Sequence, residues 1–316
     1  MVVYHNGGLG DFVLSLPAIF RTVAARPAER LHFWGPPDRL LLLPRFLPPP
    51  ASVLQFGHTL WGEAPHPALE EFLAGCSTLL AFGGRAPPTV FSRFGRARAL
   101  PIAGSPEKGG LRVPAHHARQ LDALGVPKTP TPWLPLWRRT VCPAHSHDEL
   151  VLHPGSGDRR KNAPAELWAA VLTSLRKTTG HRVRLVLGPA EREDPGWNTL
   201  TQMADAVSPC DDLTGLLAGL SRASLFLGSD SGASHLSALL GVPTVVLFGP
   251  SDPDLWRPLG PLVGVVRTHA PCSPCTHGAP FNCRQPRCLE RFSAQEIEER
   301  ALGLLRRSGH TTQSIC

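Results

Sequence analysis

The sequence predicts an α/β protein made of two doubly wound domains, each built on a parallel sheet. Three observations lead to this prediction. The chain has 316 residues, which fits two cores of ordinary size better than one. Short apolar runs alternate with segments of helical apolar spacing, and this series occurs twice. Between the two series, residues 127–143 form a proline-rich stretch without periodicity, as is typical of a linker.

The first series opens the chain. Residues 2–5, 31–34 and 77–82 are short apolar runs that predict buried strands. Residues 11–25 carry apolar side chains at helical spacing and predict a helix directly after the first strand.

The second series is the more regular of the two. It predicts strands at residues 149–153, 181–187, 225–227 and 244–248, and helices at residues 164–178, 199–207, 213–221 and 231–240. A last helix is expected at residues 294–307, followed by a frayed tail at residues 308–316. In parallel sheets of this kind, ligands bind beyond the carboxyl ends of the strands, so loops that lead from strand to helix are the candidate sites.

Composition narrows the class of partner. The net charge of +7 favours anionic partners, but the sequence has no block of five or six like charges and only 7% aromatic residues. We therefore expect no nucleic acid and favour acidic small molecules or a phosphate-rich membrane face. No apolar run approaches the ~20 residues that span a bilayer, and the first residues lack the layout of a signal peptide. The expected location is cytoplasmic.

The first strand-to-helix loop is rich in glycine and ends at Asp11. Glycines allow a ligand to approach the backbone, and the helix that follows offers free amides. Asp11 has two readings that the local sequence leaves open, a cap of this helix or a general base.

The loop after residue 153 combines small residues with three consecutive cations, Arg159, Arg160 and Lys161. This pattern predicts a phosphate pocket that includes Ser156, with Lys161 as the direct contact. The alternative is a solvated basic turn.

A third junction carries a run of small residues at the start of a helix. The amides of Ser231, Gly232 and Ala233 can close on a pyrophosphate. Asp230 has an alternative reading as the N-cap of this helix, and His235 as a core histidine.

Glu191 follows the end of another predicted strand. A carboxylate at that place can accept hydrogen bonds from two ribose hydroxyls, or it can simply be solvated.

Four cysteines lie within 17 residues, namely Cys272, Cys275, Cys283 and Cys288. Four thiols suit a tetrahedral structural zinc, although the second spacing is not the usual C-x-x-C. Reduced thiols that support a loop, or one or two disulfides, are the alternatives.

Taken together, these motifs resemble glycosyltransferase family 9, the bacterial heptosyltransferases. The resemblance rests on Gly10-Asp11 with Pro17-Ala18, on His153-Pro154-Gly155, on Asp230-Ser231-Gly232 with His235-Leu236, and on Leu247-Phe248-Gly249-Pro250.

The resemblance implies an architecture of the GT-B type, with two Rossmann-like doubly wound domains that face a cleft. Residues 1–143 correspond to the acceptor-binding domain and residues 144–292 to the nucleotide-sugar-binding domain. Residues 293–307 correspond to a helix that crosses back to the first domain, and residues 308–316 to a flexible tail.

The resemblance also implies a function, the inverting and metal-independent transfer of a sugar. The expected donor is ADP-heptose, and the expected acceptor is the lipopolysaccharide core or another cell-envelope glycan. Asp11 matches the base that deprotonates the acceptor hydroxyl, and Glu191 matches the acid that holds the ribose. Lys161, Ser156 and the loop from Asp230 through Ser231 and Gly232 to Ala233 match the donor-phosphate site. Gly8, Gly10 and His235 are placed on the cleft and acceptor side.

Further expectations follow from this reading. We expect that catalysis requires no cofactor. A zinc ion at the cysteine cluster would then have a structural role only. The chain is expected to be a monomer that can touch the inner face of the bacterial inner membrane at its periphery. The alternative function is a non-catalytic protein of the same fold that binds nucleotide sugars or glycans.

Overall fold

The computed structural model divides the chain into two compact units, residues 1–141 and residues 142–316. It describes residues 1–43, 51–54, 67–83, 98–107, 110–129, 133–135, 149–275, 283 and 286–311. The predicted domain boundary at residue 143 lies outside the described residues. Every pairing between described strands is parallel, which confirms the predicted class of two doubly wound domains.

The first unit is built on a five-stranded sheet. Its strands are β1 (Val2–His5), β2 (His32–Trp34), β3 (Ser52–Leu54), β4 (Thr78–Gly83) and β5 (Arg98–Ala103). Their order in the sheet is β3-β2-β1-β4-β5. The central strand β1 is buried along its whole length, as expected for an apolar run flanked by strands on both sides.

The helices of the first unit are α1 (Leu9–Ala24), α2 (Pro67–Ala74) and α3 (Val113–Ala123), with a 3₁₀ turn at Pro37–Leu42. Helix α1 packs on α3. Arg21 joins the two because its buried guanidinium donates to the Asp122 carboxylate at 2.7 Å and to the Pro127 carbonyl at 3.0 Å. This contact fixes α1, whose first turn carries Asp11.

The second unit is built on a six-stranded sheet. Its strands are β6 (Glu149–His153), β7 (Arg182–Leu187), β8 (Ala206–Pro209), β9 (Ala223–Ser229), β10 (Thr244–Phe248) and β11 (Val263–Arg267). They lie in the order β11-β10-β9-β6-β7-β8.

Helices cover this second sheet. They are α4 (Ala165–Thr179), α5 (Pro189–Arg192), α6 (Asn198–Met203), α7 (Leu213–Leu220), α8 (Gly232–Leu240), α9 (Pro253–Trp256) and α10 (Ala294–Thr311), with 3₁₀ turns at Arg159–Lys161, Pro195–Trp197 and Arg287–Arg291. Trp168 of α4 is fully buried and lies in the core of this unit together with strand leucines such as Leu152 and Leu185. Within the described part of the chain, no helix combines the length and the apolar character that crossing a membrane requires.

The predicted helix at residues 199–207 needs correction. The helix ends at Met203, and Ala204 is already extended. Residues 206–209 form β8, in which half-buried and exposed residues alternate. This alternation is the period of a strand with one solvated face, which the helical reading overlooked.

The last helix also differs from its prediction. α10 continues to Thr311, so the helix, and not a tail, occupies residues 308–311, while residues 312–316 lie outside the described residues. Its buried side chains, Ile297, Ala301 and Leu304, belong to the core of the second unit. The helix packs on α4 and on β9, β10 and β11. The apolar stripe of α10 thus covers the sheet of its own unit, while the crossing of the helix back to the first domain stays a prediction.

Both sheets reverse their strand order at one place. In the first unit the chain starts at β1, winds outward to β3, and returns to the other side of β1 as β4. In the second unit the chain starts at β6, winds outward to β8, and returns to the other side of β6 as β9. At such a switch point the loops after the two neighbouring strands diverge, and a crevice forms beyond the carboxyl ends of the strands.

Candidate active site

The first unit has a cavity of about 460 Å³ at its switch point. Its walls come from the ends of β1, β4 and β5, from the start of α1, and from α3. The lining residues are Tyr4, His5, Asn6, Gly7, Asp11, Ser15, Phe82, Gly83, Gly104, Ser105, Val113 and His117. The loop after β1 predicted a site at this edge of the sheet, and Asp11 lies in the cavity wall.

Asp11 both caps helix α1 and lines the cavity, so it fits both of the roles that the local sequence left open. It is the third residue of α1, and its Oδ2 accepts a hydrogen bond from the Gly8 amide at 3.1 Å. The side chain therefore caps the helix, and it also lines the cavity. Capping holds the carboxylate in place because one of its oxygens is fixed to the backbone.

His5, at the end of β1, organises the loop that leads to Asp11. Its Nδ1 accepts a hydrogen bond from the Gly7 amide at 3.3 Å, so the ring proton sits on Nε2. Nε2 lies 3.3 Å from the hydroxyl oxygen of Ser15, and that hydroxyl donates to the Asp11 carbonyl at 2.8 Å. The His5 ring thus joins the loop to the first turn of α1.

Two imidazoles in the cavity wall are neutral at ordinary pH. Burial is the main cause that lowers the pKa of His5 to about 3, and the neighbouring His117 and Arg39 lower it further. Burial also lowers the pKa of His117 to about 4, against the hydrogen bond to Gly104, which raises it. The two rings are both buried. Neither of them supplies positive charge to the cavity.

In the second unit, the three cations after β6, Arg159, Arg160 and Lys161, have three different environments. The Arg160 guanidinium donates to both carboxylate oxygens of Asp158, at 2.8 and 2.7 Å, and this contact lowers the pKa of Asp158. The largely exposed Arg159 lies 3.6 Å from the Asp194 carboxylate. The Ser156 hydroxyl donates to the Asp158 carbonyl at 2.7 Å. Lys161 is the cation of the run that turns toward the neighbouring loop.

The Lys161 ammonium group donates to Asp230 Oδ2 at 2.8 Å, across the switch point between β6 and β9. The other oxygen of Asp230 lies 3.6 Å from Nε2 of the buried His235. Burial on its own would raise the pKa of Asp230, but His235 and Lys161 outweigh it and hold that pKa below its ordinary value. The carboxylate is therefore ionised and fixes the position of Lys161.

Helix α8 begins beside this pair. Ser231 is its N-cap, and the Ser231 hydroxyl accepts the amide of Ser234 at 3.4 Å. The reading of Asp230 as the N-cap is thus wrong. The first amides of α8 lie at the end of a nine-residue helix whose dipole favours an anion at this end.

Glu191 lies in α5, the one-turn helix after β7, and its carboxylate packs on two glycines. A Cβ atom on Gly155 would overlap Glu191 Oε1, and one on Gly188 would come within 2.7 Å of Oε2. Because β7 is the neighbour of β6 in the sheet, this carboxylate lies beside the loop that carries Lys161. The absence of side chains at Gly155 and Gly188 makes this position possible.

The cysteine cluster does not form the predicted zinc site. Among the described residues, which include all four of these cysteines, no group of three or more potential ligands is placed to hold a metal ion. Cys272 and Cys283 are exposed, whereas Cys288 is buried. Burial, together with the neighbouring Cys272, Cys275 and Cys283, raises the pKa of the Cys288 thiol to about 11. The structure does not support a zinc ion here.

The predicted site residues thus fall into two groups. Lys161, Asp230 and His235 come together in the second unit, next to the amides that follow Asp230. Gly8 and Gly10 lie with Asp11 at the start of α1 in the first unit. His235 contacts Asp230, and its place on the cleft and acceptor side together with Gly8 and Gly10 stays a prediction.

Sequence reasoning missed His5, Ser15 and His117. The signal for His5 was a polar residue at the end of an otherwise apolar strand. His117 lies on α3, for which no helix had been predicted.

Comparisons with known proteins identify relatives. The model of glycosyltransferase family 9 (heptosyltransferase) matches residues 116–283, more than half of the chain. A lipopolysaccharide heptosyltransferase 1 from Pseudomonas aeruginosa is 34% identical over 162 residues, which cover 47% of this chain and 45% of that protein. The enzyme of the same description from Escherichia coli K12 is 31% identical over 107 residues, which cover 34% of this chain and 33% of that protein. The matched segment spans less than half the length of these curated relatives.

Solved structures share the fold over nearly the whole chain. The E. coli heptosyltransferase WaaC with ADP has a TM-score of 0.66 at 19% identity, covering 96% of this chain and 99% of that one. The E. coli ADP-heptose lps heptosyltransferase II has a TM-score of 0.69 at 17% identity, covering 98% of this chain and 99% of that one. At these identities the likeness shows the fold alone, which is of the GT-B type.

Proposed function

The chain belongs to glycosyltransferase family 9, and we propose that it transfers a heptose from ADP-heptose to a glycan acceptor of the cell envelope. The lipopolysaccharide core is the acceptor that the curated relatives suggest. The solved relative that holds ADP supports an adenine nucleotide as the carrier of the sugar.

One observation carries the proposal, the placement of Lys161 beside the N-terminus of α8 at the switch point of the second sheet. A nucleotide diphosphate placed there would meet an ammonium group and several free amides. Negative charge grows on the diphosphate as its bond to the sugar breaks. Lys161 and the amides of residues 231–233 stabilise that charge, so the proposed reaction needs no metal ion.

Asp11 is the proposed catalytic base. Its carboxylate takes the proton from an acceptor hydroxyl, and the oxygen attacks the anomeric carbon of the donor sugar. The bond from that carbon to the diphosphate oxygen breaks, and ADP leaves with the electron pair. A single displacement of this kind inverts the configuration at the anomeric carbon.

Asp230 has a positioning role in this proposal. A carboxylate repels phosphate, but the Asp230 carboxylate is already paired with Lys161 at 2.8 Å and holds that ammonium group beside the helix. Glu191, one loop further along the sheet, accepts hydrogen bonds from the two ribose hydroxyls. Nucleotide and sugar would thus be bound mainly by the loops after β6, β7 and β9.

The remaining expectations stay predictions. They are a monomeric state, the absence of nucleic acid as a partner, a cytoplasmic location, and peripheral contact with the inner membrane.

The proposal is tested in two steps on the whole chain. Thermal unfolding is measured with ADP, UDP, GDP and CDP, and ADP is expected to stabilise the fold most. ADP-heptose is then supplied with a panel of envelope glycans, and the release of ADP and the glycosylated product are followed by mass spectrometry.

Transfer of heptose to a panel member supports the proposal. Stabilisation by ADP without transfer to any acceptor would favour the alternative of a binding protein. Stabilisation by another nucleotide alone would refute the choice of donor.

A further inference from the structure

We propose that His5 and Ser15 are positioning residues that hold the Asp11 carboxylate where it can take a proton. They act on Asp11 along two routes of hydrogen bonds, which start from the two nitrogens of the His5 ring. This inference rests on the proposed function, since Asp11 is the base of the proposed reaction.

The first route runs through the loop between β1 and α1. The Nδ1 atom of His5 accepts a hydrogen bond from the Gly7 amide at 3.3 Å, and the next amide, that of Gly8, donates to Asp11 Oδ2 at 3.1 Å. The loop passes directly between the ring and the carboxylate, because a Cβ atom on Gly7 would lie 3.0 Å from His5 Cε1 and 3.3 Å from Asp11 Oδ2. A shift of the ring therefore moves the amide that holds the carboxylate.

The second route runs through the first two turns of α1. Nε2 of His5 donates to the Ser15 hydroxyl oxygen across 3.3 Å, and that hydroxyl donates to the Asp11 carbonyl oxygen at 2.8 Å. A helical serine often bonds to the carbonyl four residues earlier, but this serine also accepts a hydrogen bond from a ring on β1. The ring thus holds the backbone of Asp11 as well as its side chain.

One tautomer of the His5 ring serves both routes. Nδ1 must carry no proton in order to accept from Gly7, so the ring proton is on Nε2, where it is donated to Ser15. A second proton on Nδ1 would expel the Gly7 amide. The ring keeps its neutral form at ordinary pH, because burial is the main cause that lowers the pKa of His5 to about 3.

The His5 ring has little room to move. Its exposed fraction is 2%, and its centroid lies 5.1 Å from that of Phe12 and 5.4 Å from that of Phe82. The backbone is enclosed too, because a Cβ atom on Gly35 would overlap the His5 carbonyl oxygen. Packing therefore fixes the two nitrogens, and a base held by such fixed contacts needs no reorientation before it reacts.

Variants can separate the two routes. His5→Asn keeps an acceptor near the place of Nδ1, His5→Gln keeps a donor near the place of Nε2, and His5→Leu removes both. Ser15→Ala interrupts the second route without a change to the ring. His32→Leu is the matched control, because His32 also contacts a serine, Ser52, at 2.7 Å but lies at the amino end of its strand.

Transfer from ADP-heptose is measured between pH 5 and pH 9 on the whole chain. In His5→Leu, kcat is expected to fall roughly 10- to 100-fold, since a base displaced by about 1 Å loses rate on this scale. His5→Asn and His5→Gln should each recover part of the loss, and ADP affinity in calorimetry should stay unchanged. The acid limb of the profile of kcat against pH should move to higher pH, because an amide that donates to a carboxylate favours its charged form.

A second measurement does not depend on turnover. NMR of the chain labelled with ¹⁵N-histidine should show a ring with its proton on Nε2 at pH 7, and this signal should be missing in His5→Gln. Hydrogen exchange followed by mass spectrometry should show residues 6–11 opening roughly fivefold faster in His5→Leu. His32→Leu should leave this exchange unchanged.

The outcomes separate this proposal from the proposed function. If the unaltered chain transfers no heptose, the proposed function fails, whereas the tautomer and the exchange rates still decide whether His5 holds the loop. A proton on Nδ1, or unchanged exchange in His5→Leu, would overturn the proposal whatever the activity. So would a kcat of His5→Leu within about twofold of the unaltered chain, or a fall in kcat without a shift of the acid limb. If His5→Leu does not fold, His5→Asn, His5→Gln and Ser15→Ala are judged by the same criteria.

Discussion

The two candidate sites occupy the same place in two similar sheets, yet the described side chains at the two places differ. In the second unit a lysine and a helix N-terminus lie at the switch point, with Asp230 holding the lysine. In the first unit, the described residues at the switch point include the Asp11 carboxylate and the neutral imidazoles of His5 and His117. The architecture sets where a ligand binds, and the loop residues set which charge it carries.

This difference corresponds to the two substrates of a glycosyl transfer. The leaving group is a diphosphate, which needs positive charge around it. The acceptor is a hydroxyl, which needs a base to take its proton. Each of the following predictions is expected to affect one of the two units more than the other.

The largest effect is expected for Asp11→Asn. The amide caps α1 about as well as the carboxylate but cannot take a proton, so kcat should fall by roughly 10²–10⁴-fold. ADP affinity should not change, because the proposed nucleotide site lies in the other unit. Titration calorimetry and turnover are measured on the same preparation. Turnover close to normal would make Asp11 a helix cap only.

Acid should weaken the first unit before the second. Each imidazole takes up a proton near pH 6.5 in the unfolded chain, but His5 does so in the folded unit only near pH 3 and His117 only near pH 4. Between these values the unfolded chain binds more protons, so stability falls as pH is lowered from 6.5. The loss is about 2 kcal/mol for each histidine at pH 5.

In the second unit the pKa of Asp230 is lowered, so its contribution is lost only below the ordinary pKa of an aspartate. Hydrogen exchange followed by mass spectrometry at pH 7 and pH 5, corrected for intrinsic rates, should show faster opening of β1 and β4 than of β9 and β10. His117→Phe should reduce the difference. Equal acid sensitivity of the two sheets would contradict this account.

Lys161→Ala tests the cation of the nucleotide site. Loss of a charged hydrogen bond should weaken ADP binding by about tenfold or more. Arg159→Ala is the matched control two residues earlier, and its exposed pair with Asp194 should change binding by less than about twofold. Thermal unfolding is measured alongside, because the variant leaves the Asp230 carboxylate without its cation. Similar losses in both variants would indicate that the basic run attracts the nucleotide only through its total charge.

A smaller effect is expected for Gly155→Ala. The new Cβ would overlap the Glu191 carboxylate and displace it, so ADP affinity should fall roughly fivefold through loss of the ribose contact. Gly157→Ala is the control, since a Cβ there meets no heavy atom within 4 Å. If Gly155→Ala binds ADP as well as Gly157→Ala does, Glu191 has no part in holding the nucleotide.

The fold was predictable from the sequence wherever strands are flanked on both sides. Within the described part of the chain, all seven interior strands were predicted, and β1, β6 and β10 have the predicted bounds. The four strands that were missed are β3, β5, β8 and β11, which form the edges of the two sheets. Interior strands are buried on both faces and give continuous apolar runs, whereas edge strands are more polar or carry prolines such as Pro101.

The sequence predicted which loops form the two sites, but not which residues of these loops contact one another. Glycine and other small residues after apolar runs predicted both sites at strand ends. Asp11 and Lys161 were recognised because each is a charged residue in such a loop. The pairing of Lys161 with Asp230 joins residues 69 positions apart and depends on which strands are neighbours in the sheet. Predicting this pair requires the order of the strands in the sheet, which local sequence patterns do not contain.

The stereochemistry of the product tests the central claim most directly. The chain is incubated with ADP-heptose of defined anomeric configuration and an acceptor glycan, and the anomeric configuration of the new bond is determined by NMR. Direct displacement with Asp11 as the base predicts a configuration opposite to that of the donor. A product that retains the configuration of the donor would contradict the account.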